Sequence, residues 1–196
     1  MTKWVHADVL DGGLNGIKTV ATKMMLIKAY AAADSYATVT GNKLAEATMV
    51  SGDYTLATSG SNRTLTNGTK SSTASATQAD IIATRAATGG SATTLVDSTQ
   101  SWTTNDKAGM VLTGVAGAAA GRSEVIVSNT ATTLTVASGT AFDNTSTYRI
   151  NTNLHIAFTD GSAKVLWVTD ETSNVAVASG DTVNFPALVY TNNQPT

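Results

Sequence analysis

Short runs of β-branched and apolar residues, interrupted by glycine, asparagine and aspartate, recur along most of this chain. Such runs are typical of β-strands, and they leave little room for long amphipathic helices. Asp160-Gly161 lies between two of the runs, and Asp-Gly flanked by alternating apolar residues is a strong hairpin signal. The clearest predicted strands are Asp53–Ala57, Arg63–Thr66, Leu154–Thr159 and Lys164–Thr169.

The N-terminal region is the exception to this strand pattern. Leu14, Ile17, Val20 and Met24 recur at a spacing that favours one short helix over residues 14–24. The pair Gly12-Gly13 precedes these residues, and adjacent glycines are typical of a turn. The sequence therefore predicts a turn followed by a single short helix.

Two further strands are predicted on either side of the central region. Met24–Tyr30 (MMLIKAY) has the apolar character of a buried strand. Val183–Tyr190 (VNFPALVY) is predicted to be the last strand. Because proline cannot donate a hydrogen bond to a sheet, Pro186 indicates that this strand lies at a sheet edge or contains a bulge.

The middle of the chain contains two similar stretches, GSATTLVDSTQSW and NTATTLTVASGTAF. Each places a Thr-Thr-Leu core before a turn-prone segment and an aromatic residue, Trp102 or Phe142. Two copies are too few for a solenoid. We expect a small β module of four to six short strands, in which each Thr-Thr-Leu segment leads into a strand. The threonines expected to alternate between core and surface are Thr93, Thr94, Thr132 and Thr133.

The position of these repeats suggests an insertion. Strand-like segments precede the repeats and resume after them, and insertions are tolerated at exposed loop tips. We therefore predict a parent β domain formed by residues 1–80 and 154–196, with a Thr-rich β module inserted at 81–153. The expected fold class is mainly β: a small sandwich- or barrel-like parent domain with one short N-terminal helix.

Charged residues make up only 13% of the chain, about half of the roughly 25% usual in soluble domains. Thr and Ser, roughly a quarter of the residues, must cover much of the surface instead. The net charge is −2 with no basic cluster, which argues against a nucleic-acid partner. No apolar stretch approaches a membrane span, and no signal peptide is evident, so we expect synthesis in the cytoplasm and no membrane partner.

Catalytic and metal-binding patterns are scarce. His6 and His155 are the only histidines, and His155 is most simply a strand residue that faces away from its neighbours. Loop carboxylates such as Asp160, Asp170, Glu171 and Asp181 can bind Ca²⁺ in principle, but they do not follow the EF-hand pattern. Cysteine is absent, and no nucleophile elbow or phosphate loop is present. We predict no enzymatic activity, no catalytic residue, no cofactor and no metal.

The stretch KWVHADVLDGGLNGIKTVATKM, from Lys3 to Met24, resembles the start of a family of small virion-associated proteins of tailed bacteriophages. LWVTDETSNVAVASGDTVNFPA, residues 166–187, is similar to the closing pattern of that family. The resemblance covers roughly 1–80 and 154–196. The central module is absent from the short members, and it resembles the Thr-rich β modules of other phage structural and tail proteins.

The resemblance implies a virion structural protein, and we expect a capsid decoration or cement protein that binds the major capsid protein in many copies and contacts copies of itself. Under this interpretation the apolar N-terminal residues are the anchor, and His6 with its neighbouring aspartates shapes the turn. Alternatively, Trp4 only fastens the N-terminus to its own core. The expected partner-binding residues are Trp4, Val5, His6, Val9 and Leu10.

Other functions remain open from the sequence. A tail or head–tail connector component, fibre-like or ring-forming, would also be part of the virion. A carbohydrate-binding module on the virion surface, or a glycan-degrading enzyme, would act on the host instead. Copy number per particle separates a head position from a connector or tail position, and binding or cleavage of host polysaccharide identifies the last two.

Overall fold

The computed structural model of the protein describes residues 5–78, 80–171 and 177–194. Strands account for 43% and helices for 13% of the chain, and the strands form several antiparallel sheets. The predicted mainly β fold with one short N-terminal helix is therefore confirmed. A second helix of six residues follows Ser35, whose hydroxyl caps it by accepting a hydrogen bond from the Thr38 N–H at 3.1 Å.

The secondary-structure elements of the described residues follow one another in a simple order. They are α1 (Ala7–Val20), β1 (Lys23–Ile27), α2 (Tyr36–Gly41), β2 (Lys43–Thr48), β3 (Tyr54–Ser59), β4 (Asn62–Asn67), β5 (Lys70–Thr73), β6 (Asp80–Ala86), β7 (Gly89–Gly90), β8 (Thr94–Val96), β9 (Val111–Ala116), β10 (Ser123–Asn129), β11 (Thr133–Val136), β12 (Thr147–Asn151), β13 (His155–Thr159), β14 (Val165–Asp170), β15 (Thr182–Phe185) and β16 (Val189–Asn192). A 3₁₀ turn at Ser51–Asp53 precedes β3.

The chain divides into two compact units. Unit 1 contains residues 1–76, 155–169 and 177–196, and unit 2 contains residues 77–154 and 170–176. The segment 81–153, predicted as an inserted module, lies within unit 2. Unlike the predicted module, unit 2 also includes a short segment that begins at Asp170, the last residue of β14.

Unit 1 contains a four-stranded sheet in the order β14-β13-β1-β2, with β1 antiparallel to both neighbours. All residues of β1 from Met24 to Ile27 are buried, because both faces of this sheet are covered. Met25 and Ile27 pack with Val39 of α2, and on the other face Phe158 of β13 lies 6.4 Å from Tyr54 of β3. The predicted buried strand is confirmed, although it ends three residues earlier than expected.

A three-stranded sheet in the order β16-β4-β3 forms a second layer of unit 1. The two sheets meet through aromatic rings: Trp167 stacks on Phe158 at 4.8 Å and meets the Tyr190 ring edge-on at 5.4 Å. Helix α1 packs against all three strands of this sheet. A separate ribbon pairs β5 with β15.

The Asp160-Gly161 hairpin is confirmed, since β13 and β14 are neighbours joined by residues 160–164. The Asp160 carboxylate accepts hydrogen bonds from the backbone N–H groups of Ser162, Ala163 and Lys164 at 2.8–2.9 Å. Gly161 has φ +81°, a conformation that favours glycine. The hydrogen bonds from Lys164, Ala163 and Ser162 lower the pKa of Asp160 to about 2.

Two local predictions are wrong in detail. The last strand is not continuous through Pro186: it is two strands, β15 and β16, because residues 186–188 leave the ladder. Helix α1 begins at Ala7 and ends at Val20, so Gly12-Gly13 lies inside the helix and not in a turn before it. Burial of Leu10 and Leu14 against the sheet offsets the poor helix propensity of the glycines.

Unit 2 is a small closed β-barrel. Its seven strands, all within the described residues, follow the order β6-β12-β9-β10-β11-β8-β7. The strands β6 and β7 lie at opposite ends of that order, yet only Ala87 and Thr88 separate them along the chain. Ala87 donates to the Ser146 carbonyl and Thr88 to the Val96 carbonyl, each at 2.8–2.9 Å, so this segment closes the barrel. The core contains Leu95, Leu112, Leu134, Phe142, Tyr148 and Ile150, all fully buried.

The two Thr-Thr-Leu repeats lead into β8 and β11, as predicted, and these strands pair with one another. The pairing is reciprocal: Asp97 N–H donates to the Thr132 carbonyl, and Val136 N–H donates to the Thr93 carbonyl, at 2.8 and 2.9 Å. Leu95 lies opposite Leu134 at the centre. The repeats therefore form a local pseudo-two-fold pair.

The expected number of strands and the expected threonine pattern need correction. The barrel has seven strands among the described residues, not four to six. None of the four repeat threonines reaches the core: Thr93 is exposed, and Thr94, Thr132 and Thr133 are half-buried. The leucine of each repeat fills the core position instead, because a leucine buries more apolar area there than a threonine.

Candidate functional site

The N-terminal block folds as the start of a helix. His6 is the N-cap of α1, and its Nδ1 accepts a hydrogen bond from the Asp8 N–H at 3.2 Å. The same Nδ1 lies 3.3 Å from the Asp8 carboxylate. Val5 and Leu10 occupy the N′ and N4 positions that form a hydrophobic staple.

The two sides of α1 have different surroundings. Leu10 and Leu14 are 6% and 0% exposed and lie on the side that packs against the three-stranded sheet. Val9 is 68% exposed, and Val20, eleven residues further on, is 37% exposed. Gly13 and Gly16 are spaced between these valines on the same side of the helix. We call Val9, Gly13, Gly16 and Val20 the outer face of α1.

The glycines of α1 have no evident role inside unit 1. A Cβ atom added at Gly12 or Gly16 would meet no atom of the described chain within 4 Å, and one at Gly13 would meet only Asn192 Nδ2 at 3.9 Å. Each glycine in a helix interior costs about 1 kcal/mol relative to alanine. The helix therefore keeps three unfavourable residues that its own packing does not require.

Helix α1 is held firmly to the sheet despite these glycines. Arg63 of β4 donates to both carboxylate oxygens of Asp11, at 2.7 and 2.8 Å, and also donates to the Thr58 hydroxyl. The hydrogen bonds from Arg63 hold the pKa of Asp11 below its usual value. The Asn192 side chain donates to the Leu10 carbonyl at 2.7 Å.

The first described residue is held from the other end of the chain. The Gln194 side chain accepts from the Val5 N–H at 3.0 Å and donates to the Val5 carbonyl at 2.7 Å. The backbone N–H of Gln194 in turn donates to the Asn62 side chain at 2.9 Å. The start of α1, the β3–β4 hairpin and the C-terminal region therefore form one hydrogen-bonded cluster.

An open pocket of about 260 Å³ lies in this cluster, and we call it the N-terminal pocket. The N-terminal block contributes Val5, His6, Ala7 and Leu10 to its lining. The β3–β4 hairpin and the residues after β16 contribute Thr58, Ser61, Arg63 and Gln194.

The structure brings together several of the expected partner-binding residues. Val5, His6 and Leu10 line the N-terminal pocket, and Val9 of α1 is 68% exposed. Leu10 is only 6% exposed and packs in the protein's own core, and its role as an anchor stays a prediction. Trp4 lies outside the described residues. His6 caps a helix and does not shape a turn.

The remaining candidates from the sequence are dispersed. His155 is half-buried in β13, and its ring lies 6.1 Å from that of Tyr30. Its Nδ1 is buried and has no hydrogen-bond partner among the residues that the structure describes. The Asp160 carboxylate accepts the hydrogen bonds of its own turn. The Asp170 carboxylate accepts a hydrogen bond from the Asn153 side chain at 2.8 Å, and that of Asp181 accepts one from the Ala178 N–H at 2.7 Å. No group of three or more His, Cys, Asp or Glu residues in the described ranges is placed to hold a metal ion.

Sequence reasoning missed the residues that complete the cluster, namely Arg63, Thr58, Ser61 and Gln194. They lie about 50 to 190 positions away from the N-terminal block, and no local pattern links them to it. The only available signal was the N′–N4 spacing of Val5 and Leu10, which indicates a helix start at residue 6.

No family model, no curated protein and no solved structure matches this chain. Within 5–78, 80–171 and 177–194, no helix is long and apolar enough to cross a membrane.

Proposed function

We propose that this chain is a structural protein of a bacteriophage virion, a capsid decoration or cement protein that binds the major capsid protein in many copies. The resemblance of residues 3–24 to virion-associated proteins supports the virion. The observation that carries the binding role is Val9, 68% exposed on a helix that Arg63 and Asn192 fasten to the sheet beneath it. A rigid helix with an exposed apolar residue offers a binding surface that needs little ordering.

The glycines of the outer face support contact with a partner. A helix that keeps Gly13 and Gly16 without an internal reason gives up about 1 kcal/mol at each position. The absence of side chains there lets another backbone approach closely, with Val9 and Val20 on either side. The free energy that the two glycines cost the folded helix is then offset by the closer contact with the partner in the bound state.

The low charge of the chain supports assembly in many copies. Neighbouring copies on a lattice would repel one another little, since charged residues are 13% of the chain and the net charge is −2. Symmetric assemblies gain affinity from many weak contacts at once. The protein acts by binding and not by turning over a substrate, and it resides in the virion after synthesis in the host cytoplasm.

A pair of matched substitutions tests the role of the outer face. Val9 is at the N3 position of α1, where glutamate is favourable to a helix, so Val9→Glu is expected to fold normally. The added charge would be buried without a partner on binding, and we expect an affinity loss of about tenfold or more. Occupancy on phage particles that lack the chain is the measurement.

Val50→Glu is the control, because Val50 is also in unit 1 and is 60% exposed, but it lies outside α1. It should bind particles like the wild type. Equal binding by wild type, Val9→Glu and Val50→Glu would rule out the outer face, and failure of the wild type to bind would rule out the proposed function.

A further inference from the structure

Asn129, the last residue of β10, carries a carboxamide that is buried in unit 2. The residue is 2% exposed. Its Oδ1 accepts a hydrogen bond from the Lys107 backbone N–H at 2.8 Å. Its Nδ2 donates to the carbonyls of Thr103 and Thr130, each at 2.9 Å. These bonds fix the orientation of the carboxamide next to the Lys107 backbone.

The Asp106 carboxylate contacts this carboxamide and the Lys107 amine at the same time. Asp106 Oδ1 accepts a hydrogen bond from Asn129 Nδ2 at 3.3 Å, and Asp106 Oδ2 accepts one from Lys107 Nζ at 2.7 Å. The Lys107 side chain is 15% exposed and so lies against the protein, whereas the Asp106 side chain is 34% exposed and borders the solvent. Both nitrogens are therefore held against one carboxylate.

These contacts supply the groups that an amine needs to attack a carboxamide. The two reacting groups must be held close together, and the Lys107 backbone already contacts the Asn129 side chain. A base must move protons from the attacking nitrogen to the leaving one, and Asp106 touches both. A hydrogen-bond donor must stabilise the charge that develops on the carbonyl oxygen, and the Lys107 N–H donates to Oδ1.

The charge state of Asp106 suits this role. The hydrogen bond from Lys107 holds the pKa of the Asp106 carboxyl below its usual value. Asp106 is therefore ionised at neutral pH and able to accept a proton from the amine that it contacts.

We propose that Lys107 and Asn129 become joined by an isopeptide bond, formed once within the folded chain with Asp106 as the proton relay. The Nζ–Cγ bond forms and the Cγ–Nδ2 bond breaks, and the electron pair of the broken bond leaves with Nδ2. Nζ gives up two protons in all, and Asp106 passes them to Nδ2, which departs as ammonium. The Asp106 carboxylate is regenerated, and no oxidant or other co-reactant is consumed.

The bond would close a loop in unit 2 from Lys107, which precedes β9, to the end of β10. A covalent loop restricts the unfolded chain and so stabilises the folded one. The reaction occurs once per chain and turns over no substrate. It goes beyond the proposed function and does not depend on it, because it involves only atoms of unit 2 and needs no partner.

Mass spectrometry of the intact full-length chain tests the proposal. The mature chain should weigh less than its sequence by one molecule of ammonia. Trypsin cleaves after lysine and arginine, but not after a lysine whose Nζ is acylated. A digest of the denatured chain should therefore yield one branched peptide, in which residues 86–122 are joined to residues 123–149.

Two results would overturn the isopeptide bond. One is an unchanged mass together with tryptic cleavage after Lys107. The other is loss of ammonia without the branched peptide, as a cyclic imide formed at a single asparagine would give.

Three variants test the roles of the residues. Lys107→Arg keeps a cation beside Asp106, but a guanidinium is a poor nucleophile, so the full mass of the sequence is expected. Asp106→Asn keeps the shape of the side chain without the base, and bond formation should be about 100-fold slower or more. Lys43→Arg is the control, because Lys43 also donates to a carboxylate, that of Glu46 at 2.8 Å, but lies in unit 1.

The control should form the branched peptide like the wild type. A branched peptide in Lys107→Arg would show that Lys107 is not the nucleophile, and bond formation at the wild-type rate in Asp106→Asn would exclude Asp106 as the relay. The thermal unfolding midpoint of each variant confirms that it is folded.

Discussion

Helix α1 and the Thr-Thr-Leu strands of the barrel differ in how completely their apolar residues are buried. In the barrel the two repeats pair with one another, and Leu95 and Leu134 are both fully buried at the centre of that pair. In α1 the inner leucines are buried in the same manner, but Val9 remains 68% exposed and three glycines replace better helix formers. The barrel strands are explained by their own packing, whereas one side of α1 is not.

This difference indicates which surface was retained for something other than folding. An isolated exposed valine is ordinary on a protein surface. An exposed valine on a helix weakened by glycines, yet clamped by Asp11–Arg63, is harder to explain by stability alone. The comparison therefore supports the proposal that α1 has a binding role, whereas the burial of Leu95 and Leu134 gives the repeats a structural one.

The largest expected effect is loss of a core leucine in the barrel. Leu134→Ala is expected to destabilise unit 2 by about 2–5 kcal/mol, because it leaves a cavity in a closed core. Thr132→Ala, on the half-buried residue two positions earlier, should change stability by about 0.5 kcal/mol or less. Hydrogen exchange of the barrel amides measures both. Similar exchange in the two variants would contradict the view that the leucine, and not the threonine, of this repeat stabilises the barrel.

A smaller effect of opposite sign is expected in α1. Gly16→Ala should stabilise the helix by up to about 1 kcal/mol, since alanine is the better helix former and the new Cβ meets no described atom. The same variant should bind particles more weakly, because the methyl group holds the partner backbone away. Gly41→Ala, at the end of α2, is the control for the substitution itself. A gain in stability without loss of binding would show that the glycines serve no contact.

The smallest expected effect is the contribution of Asp97 to the stability of the barrel at low pH. Burial alone raises the pKa of Asp97, but hydrogen bonds from Thr99 and Tyr148 outweigh it, and the pKa lies below its usual value of 3.8. A lowered folded-state pKa contributes stability above pH 3.8, and that contribution is lost as the pH falls through the folded-state value. Asp97→Asn should therefore show a shallower loss of urea resistance below pH 4 than the wild type. Identical slopes would mean that this carboxyl does not link barrel stability to pH.

The sequence predicted the strands of this protein better than its N-terminal region, and the reason is physical. Runs such as Leu154–Thr159 and the Asp160-Gly161 turn are defined by neighbouring residues, so local patterns suffice. The helix start was misplaced because Gly12-Gly13 resembles a turn, and only packing of Leu10 and Leu14 on a distant sheet makes a helix there.

The N-terminal pocket could not be predicted for a related reason. Arg63 and Gln194 reach the N-terminal block through the pairing of β4 with β16, which joins segments more than 120 residues apart. Barrel closure depends likewise on the hydrogen bond from Ala87 to Ser146, which are distant in the sequence and share no local signature. Residue types and spacing identified Val5, His6 and Val9, but not what surrounds them.

The central claim is that this chain is a capsid protein of a phage. Its most direct test is the number of copies of the chain in purified particles of the phage proposed to encode it, measured by quantitative mass spectrometry against the major capsid protein. A protein that covers the capsid lattice through α1 should be present in hundreds of copies per particle. Its absence from particles, or a count of a dozen or fewer, would contradict a decoration role.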